Sequence, residues 1–211
     1  MADLTTTSYA LLGLLSLRPH SAYELTQQAR RSLAFIWPVS ESQLYAEPKR
    51  LVREGLVDAT EEPAGPRRRR TVYRLTPAGQ QALALWLRSA PSAPGFSSEV
   101  LLRVAFADSG DTGALLSALS HCRELVSQQQ GLGRHQIAEQ LDGTAPYVER
   151  ANLNVLWWVL IAEQLRLNLA WLDWAASEVR SWDGTRPRGF DARVRSLAES
   201  VAAGLPVEIG L

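Results

Sequence analysis

Apolar residues recur at helical spacing along most of the chain, and only one stretch departs from that rhythm. Thr5 to Leu17 carries Tyr9, Leu11, Leu12, Leu14 and Leu15, mostly apolar and so mostly buried. Ser21 to Ser32 places Ala22, Leu25 and Ala29 toward a core. It opens with Ser21 and has Glu24 three residues on, the pattern of a capping box. Arg18-Pro19-His20 breaks the first helix from the second. In Ser40 to Gly55, Leu44, Leu51 and Val52 share one side. Ser40 can cap this helix and Gly55 can end it. Leu56 to Thr60 and Thr71 to Leu75 are strand-like runs, joined by a tip containing Arg67, Arg68, Arg69 and Arg70. Thr76-Pro77-Ala78-Gly79 then opens a fourth helix through Leu83, Leu85, Trp86 and Leu87. Three helices followed by a hairpin and another helix predict a winged helix-turn-helix.

The polar side of the third helix predicts its use. Ser42, Gln43, Ala46, Lys49, Arg50 and Arg53 fall opposite its apolar residues. A helix with such a face fits a DNA major groove, where Gln43 can pair with adenine and Arg50 with guanine. Ser42, Tyr45 and Lys49 suit phosphates, as do the four arginines of the tip. Pro48 falls inside this helix, where it removes one backbone hydrogen bond at a cost of roughly 3 kcal/mol. A kink or a tightened first half is expected there, with the helix retained.

A Pro-, Ser- and Ala-rich segment, Ser89 to Gly95, divides the chain into residues 1–90 and 91–211. Beyond it the pattern predicts helices at about 97–107, 112–141 (interrupted near Gly131-Leu132-Gly133), 146–182 and 191–203, with no strands. The helix at 146–182 is apolar over more than half its circumference, whereas a one-faced surface helix needs a stripe of only about 100°. It therefore has a second face to bury, and a second copy of the chain is the economical cover. Leu153, Leu160, Ile161 and Leu165 are the candidate dimer residues. Five of the seven tryptophans lie in this segment, so a pocket for a flat, apolar effector is conceivable there. Trp157 and Trp171 are its candidates, about 21 Å apart by helical rise. A membrane span is disfavoured, because the uncharged run stops at Glu163, short of the ~20 residues required.

Charge sharpens the division. The whole chain balances 22 basic against 22 acidic residues. Residues 1–90 nonetheless carry a net +4 and residues 91–211 a net −4, so the first half is the one suited to an anion. His20, His121 and His135 are scattered, and Cys122 is the single cysteine. No metal set, cofactor motif or catalytic constellation follows, and the chain is read as a non-enzyme. One thiol and no leader pattern lead to an expectation of a cytoplasmic protein.

Six short motifs in order resemble the PadR-type transcriptional regulators. They are Leu11-Leu12-Gly13-Leu14-Leu15, Ser21-Ala22-Tyr23-Glu24-Leu25, Ser42-Gln43-Leu44-Tyr45, Lys49-Arg50-Leu51, Glu54-Gly55-Leu56-Val57 and Val72-Tyr73-Arg74-Leu75-Thr76-Pro77-Ala78-Gly79. The resemblance covers about 88 residues. The remainder is similar in layout to the longer, virulence-activator-like subgroup. Pro48 stands where the family pattern has an apolar residue, and Ala22 where many members have Gly. The resemblance implies a mainly α protein, with a winged helix-turn-helix of three helices and a two-stranded wing, and a C-terminal all-helical dimerisation domain. It also implies a homodimer on a palindromic double-stranded operator, usually repressing, and in some members responding to aromatic compounds. The expected DNA contacts are then Ser40, Ser42, Gln43, Tyr45, Lys49, Arg50, Arg67 to Arg70, and Tyr23. The alternative is a winged-helix module that binds protein instead of DNA.

Overall fold

The structure is a computed structural model that describes residues 4–64, 69–187, 189–207 and 209. The chain forms two compact units, Met1–Pro94 and Gly95–Leu211.

In the first unit, local signals start and stop each helix. Helix α1 (Thr6–Leu17) and α2 (Ala22–Ser32) each begin with a reciprocal capping box, Thr5 with Ser8 and Ser21 with Glu24. Helix α3 (Glu41–Arg53) begins with a third, Ser40 with Gln43. It ends where Gly55 adopts φ 70°. There the N–H groups of Gly55 and Leu56 return to the carbonyls of Val52 and Leu51 at 3.0 Å each. That is a Schellman turn, and the left-handed residue in it favours glycine. The helix runs unbroken through Pro48, whose ring is fully buried. Burial of the ring offsets part of the cost of the missing N–H.

Two strands follow, β2 (Val57–Pro63) and β3 (Arg69–Leu75), paired antiparallel from Val57↔Leu75 to Pro63↔Arg69. Sequence predicted a two-stranded wing. The structure adds a third strand, β1 (His20–Ser21), on the other edge of β3, with His20 opposite Tyr73 and Ser21 opposite Val72. The segment expected only to break α1 from α2 therefore also anchors the wing to the helices. Helix α4 (Pro77–Arg88) starts at Thr76, whose hydroxyl accepts from Gly79 N–H at 3.0 Å and donates to the Gly55 carbonyl at 2.9 Å. The core joins Leu11, Leu12 and Leu15 of α1 to Leu25 of α2, Leu44 and Leu51 of α3, and Val57 and Tyr73 of the sheet.

The second unit is helical: α5 (Glu99–Ala105), α6 (Thr112–Leu141), α7 (Ala151–Arg180) and α8 (Ala192–Ala202). Helices α6 and α7 pack antiparallel, since Arg123 pairs with Asp173 at 2.6 Å while Gly133 meets Trp158 further along. The interruption expected near Gly131 and Gly133 is absent, and α6 is continuous. Gly133 serves packing instead, because a Cβ there would come within 2.9 Å of the Trp158 ring. Val148–Arg180 is long and apolar enough by composition to cross a bilayer. One side of it is nevertheless occupied by α6, and Glu163 and Arg166 pair near its middle at 2.7 Å.

Candidate nucleic-acid interface

Helix α3 is held by its neighbours on one side and open on the other. Leu44, Pro48 and Leu51 face the core. Ser42, Tyr45, Ala46, Lys49 and Arg53 are exposed, which is the stripe that a helical period draws from Ser42 to Arg53. Glu41 pairs with Arg30 of α2 at 2.8 Å, fixing the turn between the two helices. Tyr23, in the first turn of α2, is 68% exposed. Ser40, Ser42, Tyr45, Lys49 and Tyr23 are thus all open to solvent.

Gln43 and Arg50 sit differently from a plain surface face. Gln43 is exposed, but its Oε1 accepts from Ser40 N–H at 3.2 Å and from Ser40 Oγ–H at 2.9 Å. Arg50 lies on the flank and is half-buried, with Nη1 3.1 Å from Glu47 Oε1. The same Glu47 oxygen accepts the hydroxyl of Ser8 in α1. Arg50 is therefore drawn toward α1, and Arg53 takes the outward place. The i, i+4 step from Lys49 to Arg53 marks it, and the expected contact set omitted it.

The wing's arginines divide in the same way. Arg67 and Arg68 lie outside the described residues. Arg69 donates to the Glu61 carbonyl at 3.1 Å. Arg70 stands between two carboxylates, Glu24 at 3.6 Å and Glu62 at 3.9 Å, and Arg74 pairs with Glu62 at 2.5 Å. Glu24 is held below the usual carboxylate range, first by the Ser21 N–H and hydroxyl, then by Arg70 and Arg18. It stays ionised and clamps the wing to α2. Behind it His20 is fully buried, and burial pushes its pKa down, aided by Arg18, against the opposing pull of Glu24 and a hydrogen bond to the Leu14 carbonyl.

A family model described as the transcriptional regulator PadR-like family matches residues 11–85, the stretch that contains α2, α3 and the wing. Over those residues the chain is similar to PadR-like regulators. Its relatives include the negative transcriptional regulator PadR of Bacillus subtilis, 33% identical over 99 residues, covering 46% of this chain and 54% of the relative. The chain thus spans about half the length of that relative. A probable transcriptional regulator of Mycobacterium tuberculosis is 25% identical over 153 residues, covering 65% of this chain and 81% of the relative.

The PadR-like fold extends past the matched domain. Bacillus subtilis PadR in complex with operator DNA superposes with a TM-score of 0.70 at 22% identity, covering 84% of this chain and 99% of that one. The same protein with p-coumaric acid gives 0.62. The virulence activator AphA of Vibrio cholerae gives 0.52 at 23% identity, over 82% of this chain and 95% of that one.

In the second unit the candidate residues separate. Trp171 borders a cavity of about 360 Å³ with Phe96, Leu101, Cys122, Val126 and Asn168. Trp157 stacks on Trp158 instead, ring centroids 4.4 Å apart at 30°, and does not line that cavity. Burial pushes the Cys122 thiol up, so it is no ready nucleophile. Leu153 and Leu160 are 47% and 68% exposed, in line with Leu156 at 73% and Leu167 at 44%. Ile161 and Leu165, expected at a dimer contact, are each 8% exposed within the single chain. Helix periodicity turns them toward the subunit's own core, so they leave the set of free apolar residues. Among the described residues no three His, Cys, Asp or Glu side chains gather as a metal site.

Proposed function

We propose that this chain is a homodimeric, sequence-specific DNA-binding regulator that represses transcription from a palindromic operator and is released by a small apolar effector. The observation that carries the reading is the open face of α3, Ser42, Tyr45, Lys49 and Arg53, beside an arginine-bearing hairpin tied to α2. A capped, rigid helix with hydroxyl, phenol and cationic groups on one face matches a major groove and its flanking phosphates. Bacillus subtilis PadR, captured with operator DNA and described as a negative regulator, supports both the operator and the sign of control.

Dimerisation is assigned to the exposed leucine strip of α7, Leu153, Leu156, Leu160 and Leu167, since contiguous apolar surface of this kind needs a cover. The effector is assigned to the cavity at Trp171. The p-coumaric acid complex of Bacillus subtilis PadR supports an aromatic ligand class. A non-enzymatic role in the cytoplasm, where the operator is, completes the reading.

A protein-binding module is the second reading. What favours it is the pairing of wing cations with Glu24 and Glu62, together with a net charge of zero. Operator selection from a random duplex pool, repeated at two salt concentrations, separates the two. Selected duplexes whose affinity falls with salt support the regulator. Absence of any salt-dependent duplex binding would leave the module.

A further inference from the structure

We propose that Gln43 reads the operator as a hydrogen-bond donor only, selecting guanine or thymine and rejecting cytosine at the base it faces. The proposal rests on the DNA-binding reading above.

The orientation of the Gln43 amide is settled by its partners. Ser40 N–H lies 3.2 Å from Oε1, and a backbone N–H can meet only an acceptor. The oxygen therefore turns inward and the nitrogen outward. The Ser40 hydroxyl donates to the same oxygen at 2.9 Å while accepting the Gln43 N–H at 3.4 Å. A carbonyl oxygen has two lone pairs, and both are now engaged. On this exposed side chain the NH2 group is what remains to meet a base.

That excludes the usual glutamine–adenine match, which needs the oxygen to accept from adenine N6 while the nitrogen donates to N7. Guanine presents O6 and N7 in the major groove and thymine presents O4, all acceptors. Cytosine presents the N4 amino group, donor against donor. Freeing the oxygen for adenine would strip the acceptor from Ser40 N–H at the very end of the helix that docks. The sequence pattern carries the same message: Ser40-x-x-Gln43 is a capping box, and a residue that caps with its oxygen reads with its nitrogen.

The test uses the full chain and compares the wild type with Gln43→Ala and Gln43→Glu, each profiled base by base against a random duplex pool. Gln43→Glu keeps the capping oxygen and replaces the donor with an acceptor. The wild type is expected to prefer guanine or thymine over cytosine by about 2- to 10-fold at one position of each half-site, the worth of one neutral hydrogen bond. Gln43→Ala flattens that position. Gln43→Glu moves it toward cytosine, whose N4 donates to a carboxylate, and melts no lower than Gln43→Ala because its cap is intact. A preference for adenine over guanine that is lost in Gln43→Ala would overturn the proposal, since only an oxygen freed from the box can accept from adenine N6. Equal losses at every position in both variants would also overturn it, reducing Gln43 to a backbone contact. If the wild type selects no sequence at all, the DNA-binding reading itself fails, which is a separate result.

Discussion

At Gly79 a single hydrogen atom decides whether the first unit closes. A Cβ there would lie 2.1 Å from the Leu56 carbonyl oxygen and 2.7 Å from a Leu75 methyl. The first of these is backbone and cannot rotate aside. Gly79→Ala is expected to destabilise the unit by about 1–3 kcal/mol, as overpacking does, read as a melting-temperature drop of several degrees. An unchanged melt would show that α4 slides freely against the turn after α3.

His20 makes a second prediction at this scale. Its folded pKa lies below the unfolded value of 6.5, so the unfolded chain binds more protons between the two values. The stability contribution is thus complete above about pH 6.5 and shrinks as pH falls below it. Melting at pH 7.5 and 5.5 should show a loss that His20→Gln largely removes. Glu24, depressed in its turn, adds an acid-sensitive contribution only below its unfolded value of 4.5.

Among elements, the wing and α3 show what sequence makes legible. The N-caps Ser21 and Ser40 and the Gly55 stop were readable because each is a contact between residues three to five apart. Strand β1 was not, since two residues carry no periodicity and their partners, Val72 and Tyr73, lie far along the chain beyond α2, α3 and β2. The break expected in α6 failed for a related reason: glycine's helix penalty is small beside the burial of an indole ring on Gly133. The pairing of Arg50 with Glu47, three residues away, was readable in principle, but the Ser8 hydroxyl that draws it inward is 39 residues off.

For the wing this division has a measurable result. Each phosphate-neutralising arginine contributes about 0.9 to the log–log salt slope of binding. Replacing Arg67 to Arg70 by alanine should lower the slope by less than four such steps per subunit, because Arg70 is shared with Glu24 and Glu62. Arg70→Ala alone should change it least, while Arg53→Ala should weaken binding to every sequence alike. A slope that drops by the full four steps would mean that DNA displaces both carboxylates.

For the whole molecule, two leucines five residues apart on α7 separate folding from assembly. Leu160 is 68% exposed and Leu165 8% exposed in the single chain. Leu160→Glu is expected to leave each subunit folded but monomeric by sedimentation, with operator affinity lost through loss of the second half-site contact. Leu165→Glu should instead unfold the second unit, as a buried unpaired charge does. A dimer that survives Leu160→Glu would place the interface elsewhere. Charge follows the same separation of labour, with the cationic excess in residues 1–90 and the anionic excess in residues 91–211.

The stacked pair Trp157–Trp158 gives the molecule an optical signature of its own. Two indoles 4.4 Å apart and tilted by 30° are close enough to couple their electronic transitions, so an exciton couplet superposed on the helical far-ultraviolet circular dichroism is the expected outcome. Trp158 is anchored against Gly133 in the subunit core, whereas Trp157 is the half-buried partner one helical turn from Leu153 and close to Leu160 on the helix wheel. Any event that shifts the outer ring against the inner one changes the couplet without a label. The proposed dimerisation and effector binding can then be tested in the unmodified protein, by dilution or by adding an aromatic acid, with Trp157→Phe as the blank.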